Sequence, residues 1–310
     1  MRKLTLCFML LYLFTNIQIE SKALIINDSQ NIQATDLYSI TMKRDILCLM
    51  MAYPEYITDI KHDENGMVYL IMKSGKKIIY DDKNSKSYNE KLTNPDLQDM
   101  LEVTYPLNST SNLMEECFDP GRARVYPLLN EVYGESKQKI ESNLSYVNAG
   151  RRYQFNRNNN ASQALQNVMK ELIPLAQSRP DISGCVFPCN GTYNYRYIAD
   201  TGRLSPHAFG IAIDLARDPK DYWKWATREA GSKRIKSYPK EIAQVFEKYN
   251  FVWGGKWGHF DILHFEYRPE IILKARYFGN KTTSSSKWYD GVPSENPQIK
   301  EYINKINNAL

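Results

Sequence analysis

Three of the four histidines in this 310-residue chain, His207, His259 and His264, sit in two short stretches about fifty residues apart. The first runs Ser205-Pro206-His207-Ala208-Phe209-Gly210-Ile211-Ala212-Ile213-Asp214, the second His259-Phe260-Asp261-Ile262-Leu263-His264-Phe265-Glu266. Histidine is the commonest side-chain ligand of zinc, and aspartate is a competent companion. A zinc hydrolase needs three protein ligands, an open position for water and a group that takes a proton from that water. His207, Asp214 and His264 supply the ligands for one Zn2+ ion, and Asp261 supplies the general base. His259 competes with His264 as third ligand; its other reading is a contact to substrate or to a ligand. Glu266 falls on the same strand face as His264 and can orient its imidazole.

Seven residues separate His207 from Asp214, and an odd separation along a strand points two side chains to opposite faces. Both reach one metal only if His207 precedes the strand, on a turn made by Ser205-Pro206, with Gly210 letting the backbone pass close by. A developing oxyanion also needs positive charge. Arg196 and Arg203 precede the first stretch in a Gly-, Asn- and Tyr-rich loop, and residue type alone does not choose between them.

The elements around these stretches are read from periodicity and punctuation. Asp36 to Met51 fits a helix ending before Pro54, and Met67–Met72 with Lys77–Tyr80 fits a hairpin around Ser74-Gly75. Asn94-Pro95 starts a helix through Leu101, with Asn94 as cap. Asp119-Pro120-Gly121 is a turn, Pro127 argues for an extended 124–129 segment, and 136–147 reads as a helix. The apolar stripe Ala164, Leu165, Val168, Met169, Leu172, Ile173 marks a helix capped by Asn160 and stopped by Pro174. Residues 184–204 read as loop, 209–215 as a strand and 222–225 as a helical turn. Pro239 to Tyr249 is a helix closed by Asn250 in a left-handed conformation. Thr282 to Lys287 reads as linker, and Pro297 to Leu310 as an amphipathic helix that docks on the body.

Composition is that of an ordinary globular protein, 43% apolar and 24% charged. Met1-Arg2-Lys3, the apolar run Leu4 to Phe14 and Ser21-Lys22-Ala23 form a secretory signal peptide over 1–23, with an uncleaved anchor as the alternative. Cleavage removes Arg2, Lys3, Lys22 and Glu20 and takes the formal charge from +5 to +3. An anionic cell surface attracts such a chain, and no basic stripe of the nucleic-acid-binding kind is present. Cys48, Cys117, Cys185 and Cys189 remain, as two disulfides in any of three pairings or as four thiols.

Ser205-x-His207-x-x-Gly210-x-Ala212-x-Asp214 followed by Asp261-x-x-His264-Phe265-Glu266 resembles the zinc peptidase family of bacterial D-alanyl-D-alanine carboxypeptidases, the M15 peptidases, which include VanY-like enzymes and phage L-alanyl-D-glutamate endopeptidases. Thr192 to Thr201, with Arg196 and Tyr195, resembles the approach to the first motif. Trp253-Gly254-Gly255-Lys256-Trp257 and Phe265-Glu266-Tyr267-Arg268-Pro269 resemble the surroundings of the second. The resemblance covers about 150–275. The hairpin and Asp119-Pro120-Gly121-Arg122 are similar to extended, clostridial-type members. It implies an α+β fold, with a small antiparallel sheet carrying the zinc site, helices packed on it and an N-terminal helix and hairpin extension. It divides the chain into an extension at 24–149, a peptidase domain at 150–278 and a linker with docking helix at 279–310. It implies zinc on His207, Asp214 and His264, Asp261 as acid/base where many members carry glutamate, and Arg196 on the scissile carbonyl. Ser205, His259, Glu266 and Tyr195 would surround ligands or substrate, with Arg and Tyr side chains near 193–197 as the terminal-carboxylate pocket. The implied substrate is the peptidoglycan stem peptide, cut as a D,D-carboxypeptidase. The alternatives are endopeptidase cleavage, a wall-binding protein that only holds zinc, and a disulfide-built adhesin without metal. Residues 36–150 have no assigned role.

Overall fold

A computed structural model of the protein describes residues 37–199, 201–279 and 287–310. The fold is α+β. The chain opens with α1 (37–52), β1 (Ile57–His62), β2 (Val68–Met72), β3 (Lys77–Ile79), α2 (Tyr88–Thr93) and α3 (Leu97–Leu101). After a long irregular stretch come α4 (Tyr126–Tyr133), α5 (Lys137–Ser142), β4 (Leu144–Asn148), β5 (Arg152–Asn156), α6 (Ala161–Ser178) and α7 (Pro180–Val186). The site region adds β6 (Ala212–Asp214), α8 (Arg228–Ser237), α9 (Lys240–Lys248), β7 (Phe251–Trp253), β8 (His264–Tyr267) and α10 (Pro269–Phe278), and α11 (Pro297–Ala309) ends the chain. The strands form an antiparallel β1-β2-β3 sheet, a β4-β5 hairpin and a three-stranded antiparallel sheet ordered β6-β8-β7.

The central strand of the last sheet, β8, is buried along its whole length. Phe265 points away from the site and stacks on Phe246 of α9, ring centroids 3.9 Å apart. Alternation along β8 then turns His264 and Glu266 to the opposite face, as expected from a period of two. α8 backs the approach to β8. Its Gly231 lies under the Phe260 ring, where a Cβ would stand 2.5 Å from Phe260 Cζ.

Several elements differ from expectation for identifiable reasons. Pro127 falls in the first turn of α4, where its missing N–H costs nothing, so 124–129 is not extended. Asp96, not Asn94, caps α3 through a reciprocal bond with Asp99, while Asn94 ends the short α2. The 136–147 segment is helical only through Ser142 and then enters β4. Asn160 adopts a left-handed conformation and makes no side-chain cap. α6 runs through Pro174 to Ser178, its last turn held by burial of Leu172 and Ala176. All four described cysteines are free, and Cys185 and Cys189 do not pair. The 1–23 signal peptide lies outside the described residues, as does the 282–287 linker apart from Lys287. Among the described residues no helix is long and apolar enough to cross a membrane.

One apolar core runs from Ile46 of α1 to Ile306 of α11. The N-terminal region is bonded directly to the site region. Lys274 donates to Leu101 O (2.7 Å), Trp257 Nε1 to Pro120 O (2.8 Å), and the Gly258 amide to Phe118 O (2.8 Å). Gly231→Ala forces the Phe260 ring to move, and the expected destabilisation is about 1–3 kcal/mol, read from the midpoint of chemical denaturation. An unchanged midpoint would show that the ring has free space to yield.

Candidate active site

Asp214 and His264 are direct cross-strand partners on β6 and β8. The Leu215 amide donates to Leu263 O (3.0 Å), which makes theirs the narrow, non-hydrogen-bonded kind of pair in which side chains stand closest. His207 joins them from the turn before β6. Ser205 Oγ accepts from the His207 amide (3.3 Å) and caps a single 3₁₀ turn over Pro206–Phe209. The turn ends at Gly210 (φ 69°), where a Cβ would meet Leu144 Cδ2 at 2.8 Å. Here glycine answers both the left-handed backbone and the close approach.

The three ligand atoms converge. His264 Nδ1 is 2.9 Å from Asp214 Oδ1, His207 Nε2 is 3.2 Å from the same oxygen, and the two imidazole nitrogens are 3.3 Å apart. Ligand atoms bound about 2 Å from a tetrahedral zinc stand roughly 3.3 Å from each other, so the donor set fits such an ion. The outer nitrogens fix the tautomers. His207 Nδ1–H donates to Thr192 O (2.6 Å), leaving Nε2 free to ligate. His264 Nε2 faces Glu266 Oε2 at 3.8 Å, an ionic contact that leaves Nδ1 as ligand.

Glu266 is itself clamped. Arg124 donates to its two oxygens at 2.8 and 2.6 Å, and Arg268 approaches at 3.4 Å. Burial works against its charge, but Arg124 and Arg268 hold its carboxyl well below the usual range. Arg268 continues to Glu270 (2.6 Å), and Tyr53, just after α1, donates to Glu270 (2.7 Å).

A cleft of about 400 Å³ opens over the ligand atoms. His207, Asp214 and His264 line it together with Asp261, His259, Arg196, Arg203 and an aromatic wall of Tyr222, Trp223, Trp225 and Trp257. Burial pushes the Asp261 carboxyl up to about 7, with the negative charge of Asp214 adding to the rise and His264 opposing it. His264 behaves in the opposite sense. Burial disfavours its charge, yet its bond to Asp214 and its contact with Glu266 raise it to about 10.

His259 stands apart from the three-ligand group. Its Nδ1–H donates to Asp119 Oδ2 (2.7 Å) and its amide to Asp119 Oδ1 (3.0 Å), and Trp223 packs edge-on against its ring. Arg122 and Tyr88 complete this cluster around Asp119. Tyr195 is not brought to the cleft. The backbone around it is extended, so Arg196 and Ile198 face inward while Tyr195 and Tyr197 face away, Tyr195 beside Lys137. The same alternation removes Tyr193 and Tyr197 from any carboxylate pocket. Arg124, Asp119 and Arg122 carry no assignment from sequence, because Arg124 and Asp119 act on partners more than a hundred residues away and Arg122 acts through Asp119. Asp119-Pro120-Gly121-Arg122 was visible only as a likeness to extended relatives.

Residues 199–267 match the family model described as D-alanyl-D-alanine carboxypeptidase. The match makes this segment similar to the M15 peptidases. Peptidases of this family are zinc-dependent in general, and the matched segment contains His207, Asp214, Asp261 and His264. No curated protein and no solved structure matches the chain.

Without an ion between them, the His264–Asp214 pair holds its charges from well below the ordinary aspartate range up to about pH 10, because each partner favours the other's charged form. Zinc must displace the His264 proton. Metal affinity is therefore expected to rise with pH, and uptake near pH 7 to release about one proton from this residue. Calorimetry in buffers of different ionisation enthalpy measures this, and zinc uptake without proton release would refute it. Arg124→Met leaves Glu266 with Arg268 alone, and the expected loss is about 3–5 kcal/mol of stability. A loss below about 1 kcal/mol would show that Arg268 suffices.

Proposed function

We propose that this chain is an M15 peptidase, an exported zinc D,D-carboxypeptidase that removes the terminal D-alanine from peptidoglycan stem peptides. The observation that carries the reading is the convergence of His207, Asp214 and His264 at the floor of a cleft that Asp261 and Arg196 also line. A site that only stored metal would have no need of a fourth acidic side chain and an arginine facing the same cleft.

His207, Asp214 and His264 would hold the ion. A bound Zn2+ supplies a Lewis acid that polarises the scissile carbonyl and makes water acidic enough to attack near neutral pH. Asp261 accepts the proton of the attacking water and returns it to the leaving amine. Burial raises this carboxyl above the ordinary aspartate range, which makes it a better proton acceptor. The Arg196 guanidinium stands over the cleft to stabilise the oxyanion that develops. Thr192 and Glu266 keep the two imidazoles in their ligating tautomers, and the tryptophan wall offers an apolar face to the peptide.

The expected signal peptide and residual positive charge accord with a substrate outside the membrane and an anionic wall around it. The test is mass spectrometry of a purified stem pentapeptide incubated with the protein, with and without chelator. Loss of one alanine, abolished by chelator, is expected. Internal cleavage would establish an endopeptidase instead, and an unchanged peptide would end the enzyme reading. Asp261→Ala is expected to lower kcat about 10²- to 10⁴-fold while one zinc per chain is retained.

A further inference from the structure

Residues 196–198 and 203–205 form a short antiparallel ladder. Ser205 N donates to Arg196 O (3.0 Å) and Ile198 N to Arg203 O (2.8 Å), with Tyr197 opposite Leu204. In such a ladder Tyr197 and Leu204 share one face, and Arg196, Ile198, Arg203 and Ser205 share the other. That second face is the cleft wall, and all four residues line it.

The arginines of this cleft differ in their partners. Arg122 is paired with Asp119 (2.9 Å) and Arg124 with Glu266 (2.6 Å). Arg203 is paired with no carboxylate among the described residues, and its buried Nε–H has no hydrogen-bond partner. Burial lowers its pKa; Tyr126 favours the charge, and Arg124 and Arg122 oppose it. An unsatisfied guanidinium set beside two others is an arrangement that an anion relieves. Arg124 connects this position to the metal ligands, because its partner Glu266 stands against His264.

We propose that Arg203 binds the free C-terminal carboxylate of the peptide substrate and thereby makes the site a carboxypeptidase rather than an endopeptidase. The assignment rests on the peptidase reading of the cleft. It separates the two unpaired arginines by role, with Arg196 at the scissile carbonyl and Arg203 one residue beyond it. It also replaces Tyr193, Tyr195 and Tyr197, which face away. The guanidinium offers a carboxylate two parallel N–H donors, a geometry that an amide or a continuing peptide cannot match.

The experiment uses the zinc-loaded full chain with two probes, diacetyl-L-lysyl-D-alanyl-D-alanine and its C-terminal amide. The parent is expected to cleave the acid at least about 30-fold more efficiently than the amide, the scale of one charge-assisted hydrogen bond. Arg203→Met is expected to lose about that factor on the acid, mainly in KM, and little on the amide. Arg203→Lys is expected to recover part of it. The melting temperature of Arg203→Met should match or exceed that of the parent, since removing the charge relieves repulsion from Arg122 and Arg124. A parent that cleaves acid and amide alike overturns the carboxylate assignment and leaves the peptidase reading standing. A parent that cleaves neither overturns the peptidase reading itself. Equal loss on both probes in Arg203→Met, with a depressed melting temperature, reduces Arg203 to a structural residue and also overturns the assignment.

Discussion

Glu266 is buried without exposure between Arg124, Arg268 and His264, and the metal site depends on that clamp. A lone carboxylate in such a place would neutralise itself by taking a proton. Two guanidiniums keep it ionised, and its charge then fixes which nitrogen of His264 faces the ligand group. The line of polar contacts runs on through Glu270 to Tyr53 at the end of α1. Each member has its partners, which is the condition under which buried charge stabilises instead of disrupting. The network thus couples the first described helix to the orientation of a ligand on β8.

The site draws its remaining precision from strand geometry. A narrow cross-strand pair sets Asp214 against His264, and one 3₁₀ turn brings in His207 ahead of the strand. These are rigid elements, so the three donors are held together before any ion arrives, in a cluster of partly buried groups that would otherwise repel or protonate. The same compactness raises both His264 and Asp261, but in opposite chemical senses. One shift keeps a proton on a ligand until metal displaces it, and the other leaves a carboxyl able to exchange a proton near neutrality.

The clustering of His207, Asp214 and His264 and the place of Asp261 in the same cleft were legible from residue type and spacing, because metal chemistry allows few donors and a strand allows few placements. The turn before β6 followed from the odd spacing of His207 and Asp214. The helices with strong apolar stripes, α6, α9 and α11, were legible for the same kind of reason. Short elements capped by local polar bonds, such as α2 and α5, leave little periodicity to read. Pro127 and Pro174 misled because a proline's effect depends on its position in a helix and on burial around it. The residues that brace the site, Arg124, Asp119 and Arg122, were illegible, since nothing near them in sequence announces a partner on β8 or beside it. Residue type left Arg203 level with Arg196, the resemblance singled out Arg196, and only the ladder shows that Arg203 shares its face.

The ties between 118–124 and β8 bear on what counts as the smallest working unit. The segment that matches the family ends at 267 and begins at 199, yet the charge opposite Glu266 and the carboxylate that holds His259 come from outside it. Grafting 199–267 onto another scaffold would transfer His207, Asp214, Asp261 and His264 while leaving Glu266 without Arg124 and His259 without Asp119. The portable object is therefore discontinuous, and a transplant that succeeds would carry the Asp119 turn and Arg124 along with the motif-bearing strands.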